Sequence, residues 1–217
     1  MTDEGTLIKD MYIQPYGTIR NLPRIGHELV LDTELEKVEW YGRGPGENYP
    51  DRKNSTLVGY YEGNVSDDEF YIFPQEYGSH QDVRWIKLTD GKRNQVYLSS
   101  NRLIAFSVRR ETDRLLSEKL NISELKQKKG AVLELDYAVS GLGNASCGTD
   151  VMEKYQVIPA PISIQVVYGS RRINFEAIDL HDVFEIDDDL QIKGRCGVNE
   201  SKYVDPSDAE SRTKAGF

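Results

Sequence analysis

Apolar and polar residues alternate in short runs along most of this chain, and each run stops at Gly, Pro, Asn or Asp. Leu29-Val30-Leu31 follows Gly26, then come Val38-Glu39-Trp40-Tyr41, Val83-Arg84-Trp85-Ile86-Lys87-Leu88 and Gln95-Val96-Tyr97-Leu98. Further along stand Leu103 to Val108, Ala131 to Tyr137 and Ile162 to Tyr168, all rich in β-branched or aromatic residues. A period of two with that composition suits a pleated surface buried on one face, so these segments predict seven or more strands. The one helical pattern is Thr112 to Leu120, where Thr112 or Asp113 serves as the cap and Leu115, Leu116 and Leu120 share a face. A parallel α/β sheet needs a helix between successive strands, so the spacing predicts an antiparallel all-β sandwich. From Gly194 apolar residues become scarce, which sets off 194–217 as a polar tail behind a folded portion spanning 1–193.

The chain has 217 residues, and 27 Lys and Arg against 36 Asp and Glu leave a net charge of −9. Such a surface repels phosphate backbones and anionic headgroups, and the one cationic stretch, Lys126-Gln127-Lys128-Lys129, reads as a solvated turn. Neither nucleic acid nor membrane is an expected partner. No run approaches the roughly 20 apolar residues that span a bilayer, and Met1 to Gly5 lacks the pattern of a secretory leader. Two cysteines, Cys147 and Cys196, make neither a disulfide scaffold nor a paired zinc site, so no metal or other cofactor is expected. Five Asn-x-Ser/Thr sequons begin at Asn54, Asn64, Asn121, Asn144 and Asn199.

Three polar, aromatic segments carry the candidate chemistry. The first runs from Trp40 through Gly42-Arg43-Gly44-Pro45-Gly46-Glu47-Asn48-Tyr49-Pro50-Asp51-Arg52. Its glycines do not open a helix, and two prolines follow, which argues against a phosphate loop. It reads either as a tight structural loop or as a carbohydrate surface, where rings stack on sugar C–H faces and Glu47, Asn48 and Asp51 accept hydroxyl protons. The second, Phe73 to Trp85, contains Glu76, Asp82 and His80, the last read as an exposed loop histidine with no nucleophile beside it. The third, Ser140 to Asp150, is a glycine-rich loop after a strong strand. Glycosidases use two carboxyl groups about 5 to 9.5 Å apart, but a linear sequence does not set that separation.

These three segments, with Leu22-Pro23-Arg24-Ile25-Gly26 before them and Leu135-Asp136 between, follow one familiar order and spacing. Over residues 12 to 158 the chain resembles the C-terminal, small-chain domain of glycoside hydrolase family 2 β-galactosidases. The resemblance implies a β-supersandwich of the galactose-mutarotase-like type whose front portion lies outside this chain, and hence an exposed apolar face stable only beside other domains or in a homo-oligomer. It also implies that the catalytic glutamates lie on a separate barrel-bearing domain or large subunit and that this chain holds no catalytic residue. Mg²⁺ would belong to the complete enzyme. The loop matching Gly141 to Gly148 is implied to meet the sugar through Asn144, Ser146 and Cys147, the last standing where the family usually has a tryptophan.

The expected function is therefore a share in hydrolysing terminal β-D-galactosides, by walling the pocket and supporting assembly. A free-standing carbohydrate-binding module is the alternative, and a degenerate fragment the other.

Overall fold

The computed structural model describes residues 4–18, 20–31, 34–68, 71–125, 130–144, 148–171 and 179–181. The proposed polar tail 194–217 lies outside them, as does the cationic stretch 126–129. In chain order the elements are β1 (Glu4–Ile13), β2 (Arg24–Leu31), β3 (Lys37–Gly44), β4 (Leu57–Asn64), β5 (His80–Thr89), β6 (Gln95–Arg109), α1 (Asp113–Ser117), β7 (Ala131–Val139), β8 (Ile162–Arg171) and β9 (Asp179–His181). All strand pairings are antiparallel. The all-β class is as the alternation predicts.

The sheet forks at β6. Its order runs β4-β3-β5-β6-β7-β2-β9, and a second branch, β8 then β1, leaves the same strand. Residues 95–100 of β6 pair with β8, whereas residues 105–109 pair with β7. The runs Gln95–Leu98 and Leu103–Val108, read as two strands, are thus two halves of one long strand that serves both branches. The core lies where the branches face each other, built from Leu29, Val38, Trp40, Ile86, Leu98, Phe106, Leu133, Leu135 and Val166 among others.

A buried polar contact crosses the fork. His27 of β2 meets the Tyr137 hydroxyl through Nδ1 and the Tyr168 hydroxyl through Nε2, the latter at 2.6 Å. Burial, with Lys9 adding repulsion, pushes the His27 pKa down to about 3. The ring is therefore neutral, and one nitrogen donates while the other accepts.

Helix α1 is shorter than the predicted Thr112 to Leu120. Thr112 caps it, accepting from the Leu115 amide at 3.2 Å, but only Leu116 is buried and Leu120 is exposed. Three leucines at helical spacing do not extend a helix whose core-facing side ends after one turn.

Candidate functional site

The loop after β3 is built by its own side chains. Asn48 is fully buried: its amide nitrogen donates to Gly46 O, its Oδ1 accepts the Gln81 amide at 2.9 Å, and its backbone N–H donates to Ser79 O. Glu47 accepts from the Tyr71 hydroxyl and the Gly78 amide, each at 2.8 Å, and from Arg52. These bonds tie the loop to Tyr71 and to Gly78, Ser79 and Gln81 of the second candidate segment, Phe73 to Trp85. At Gly78, φ is +77° and a Cβ would lie 2.9 Å from Asp68 Oδ2, so glycine is required there.

Asp51 ties the same loop to the third segment. Its Oδ1 accepts the Leu142 amide at 3.1 Å and its Oδ2 the Gly143 amide at 2.8 Å. A Cβ on Gly141 would sit 2.7 Å from Asp51 Cγ, so glycine lets the carboxylate approach. Asn144, exposed and next in the chain, bonds its backbone N–H to Thr149 O at 3.1 Å. The structure thus gathers Glu47, Asn48, Asp51 and Asn144 at one end of the sheet, while Ser146 and Cys147 lie outside the described residues.

A cavity of about 560 Å³ adjoins this corner, lined in part by Trp40, Glu47, Asp68, Tyr71 and His80. His80 is not the exposed loop histidine read from the sequence. It is buried at the start of β5, stacked on Phe106 at 5.1 Å and 4.6 Å from the Trp40 ring, with Nε2 3.4 Å from Asp68. Asp82 is equally engaged, pairing with Arg43 at 2.5 Å and Lys53 at 2.8 Å. Burial opposes its ionisation, yet the bonds from Lys53 and Arg43 prevail and hold its pKa below the ordinary aspartate value.

Sequence reasoning missed a second cluster. Glu134 and Asp136 alternate with Leu133 and Leu135 along β7, which by period two places them on a solvent face. Instead both are buried, because the N-terminus of α1 and the segment around Glu76 cover that face. Arg24 bonds Glu134 at 2.6 Å and Asp113 at 3.1 Å, lies 3.8 Å from Asp136 and pairs with Glu76. Arg109 pairs with Glu134 at 2.5 Å and with Asp113. Carboxylate oxygens of Glu76, Glu134 and Asp136 converge within 4.8 Å of one another, a spacing suited to a cation. The Arg24 guanidinium supplies the positive charge between them.

Burial raises Asp113 to about 9 and Asp136 to about 7, with Glu134 reinforcing both shifts. Glu134 is buried too, but Arg109 and Arg24 override that penalty and hold it well below the usual glutamate range. Glu76 is raised, chiefly by burial. The available sequence signal was Arg109-x-x-x-Asp113 at the end of one strand and, in a later strand, the acids Glu134 and Asp136 two residues apart.

Residues 2–168 match the sequence model of the β-galactosidase small chain. The chain is also similar to curated β-galactosidases. It is 31% identical to that of Kluyveromyces lactis over 138 residues, covering 63% of this chain and 13% of the yeast protein. It is 34% identical to that of an Arthrobacter species over 143 residues, covering 63% of this chain and 14% of that protein. With β-galactosidase BgaC of Bifidobacterium adolescentis the identity is 34% over 157 residues, covering 69% and 15%. The chain therefore corresponds to only a small part of the length of these relatives. With most of its length matched, the chain belongs to the β-galactosidase small chain family.

Proposed function

We propose that this chain is a non-catalytic part of a β-galactosidase of the glycoside hydrolase family 2 type, with a galactose-mutarotase-like sandwich. The reacting glutamates lie on a barrel-bearing domain or large subunit, and any Mg²⁺ belongs to that complete enzyme. The chain contributes one wall of the pocket for terminal β-D-galactosides through Asn144, Ser146 and Cys147, and supports assembly with that partner or with further copies of itself.

The observation that carries this reading is the Asp51 carboxylate seated on the Leu142 and Gly143 amides, which fixes the root of the glycine-rich loop. The state of the other carboxylates supports it. Glu47 is committed to three donors and Asp82 to two cations, so both are spent on holding loops together. A general acid needs a proton to give, and a nucleophile an unencumbered oxygen.

The test is hydrolysis of a chromogenic β-galactoside. The chain alone is expected to give no turnover, and its mixture with a barrel-bearing β-galactosidase polypeptide lacking this portion is expected to restore it. Turnover by the chain alone that Glu47→Gln or Glu76→Gln abolished would contradict the proposal.

A further inference from the structure

The cavity of about 560 Å³ beside β3 has an apolar floor and an acidic mouth. Val38, Trp40, Phe106 and Val108 make the floor, all of them buried. Glu62 and Asp67 are exposed at the mouth, and Asp68 lies deeper, its side chain 18% exposed. Glu47 also lines the space, but Arg52 already pairs with it. Among the described residues none of those lining the cavity is Lys or Arg, and Asp68 pairs with neither type.

The wall is rich in acceptors and its side-chain donors are in use. Trp40 Nε1 donates to Arg43 O at 3.0 Å, the Tyr71 hydroxyl to Glu47 at 2.8 Å, and the Asn64 side-chain amide to Asp67 at 2.9 Å. His80 is 3% exposed, and Asp68, 3.4 Å from its Nε2, draws the ring proton to that nitrogen. That leaves Nδ1 as a buried acceptor with no partner, which is uncommon in a folded chain.

We propose that this cavity binds a small organic ammonium ion, with N–H groups directed to Asp68 and His80 and an apolar body against Trp40. The proposal is independent of the role given to Asn144, Ser146 and Cys147. An ammonium group carries donors and no acceptor, which complements this wall, whereas a carboxylate or phosphate would set acceptors against acceptors. Its charge is opposite to that of the acids, and an indole face attracts a cation. A bare metal ion fits less well. Among the described residues only Glu76, Glu134 and Asp136 converge closely enough to hold one, so the acids here suit a larger cation.

The test is calorimetric titration of the chain with benzylammonium, cyclohexylammonium and hexylammonium, against benzyl alcohol and benzoate, which keep a ring and change the charge. At least one ammonium ion is expected to bind saturably, about tenfold or more tighter than either control. Asp68→Asn should weaken that binding about tenfold, while Glu153→Gln, which removes the same charge from an exposed turn, should leave it unchanged. Gly63→Leu is the second variant. A Cβ there would stand 3.5 Å from Asp67 and 4.0 Å from Trp40, in ordinary contact, so the longer side chain enters the cavity and should abolish binding with every acid kept. The absence of saturable binding by all three ions overturns the proposal, as does benzyl alcohol binding equally well. Equal losses in Asp68→Asn and Glu153→Gln, or binding that survives Gly63→Leu, overturn it too, because the net charge of −9 alone would then be attracting the ions.

Discussion

Two groups of carboxylates in this molecule do different things with the same functional group. At the loop corner, Glu47 and Asp51 accept from backbone amides and, for Glu47, also from Tyr71 and Arg52, and they stay near solvent. Under α1, Glu134, Asp136, Asp113 and Glu76 share two arginines in the interior. In the first group each acid specifies the path of a neighbouring loop. In the second, acids outnumber cations, and the excess appears as raised carboxyl pKa values. Hydrogen bonds from amides satisfy a carboxylate one at a time, whereas a buried ion network stands or falls together.

The sharpest way to break this contrast is to remove a shared cation. Arg109→Met strips Glu134 and Asp113 of a common partner in a buried site, and the expected loss of stability in urea is about 3 to 5 kcal/mol. A loss as small as that of a surface change would mean the network is not cooperative.

The pH dependence separates the groups next. Folded Asp113 and Asp136 titrate near 9 and 7, above the ordinary aspartate value of about 3.9. Between those values the folded state keeps protons that the unfolded chain has released, so stability falls as pH rises from about 4 toward 9. Glu134 has the opposite sign: its depressed pKa contributes stability above the ordinary glutamate range, and that contribution is lost as pH falls below it. The melting temperature should therefore peak on the mildly acidic side and decline toward alkaline pH, and Asp113→Asn should flatten the alkaline decline. A rise between pH 6 and 9 would contradict the assignment.

Smaller still is the effect of the corner itself. Asp51→Ala leaves two amides without their acceptor at a partly open site, an expected cost of about 1 to 3 kcal/mol by thermal or urea unfolding. Trp85→Ala removes a half-buried ring packed 5.9 Å from those of Tyr60 and Tyr97, an expected cost of about 1 kcal/mol in urea unfolding.

The strands of the core were legible because Val38, Trp40, Ile86, Leu88, Leu133 and Leu135 recur with the pleat. β1 and β4 were not. β4 carries Gly59 and Gly63 and lies at the sheet edge, with most of its residues partly or fully exposed, so burial never imposed a clean alternation on it. In β1, Leu7 and Ile8 are adjacent and Asp10 interrupts the pattern. The corner was legible as residues with candidate chemistry, since Glu47, Asn48 and Asp51 crowd one short loop. Their partners were not, because the Leu142 and Gly143 amides lie about ninety residues away and present no side-chain signal. The ionic cluster misled for a definite reason. Glu134 and Asp136 obey the alternation of β7, but only the tertiary position of α1 shows that their face is covered.

Hydrogen exchange at the Leu142 and Gly143 amides tests most directly whether Asp51 holds the loop. The account predicts that Asp51→Ala accelerates exchange at both while the amides of residues 105–109 in β6 keep their protection. Unchanged exchange at Leu142 and Gly143 would show that the carboxylate does not fix this loop, and the role given to that corner would fall with it.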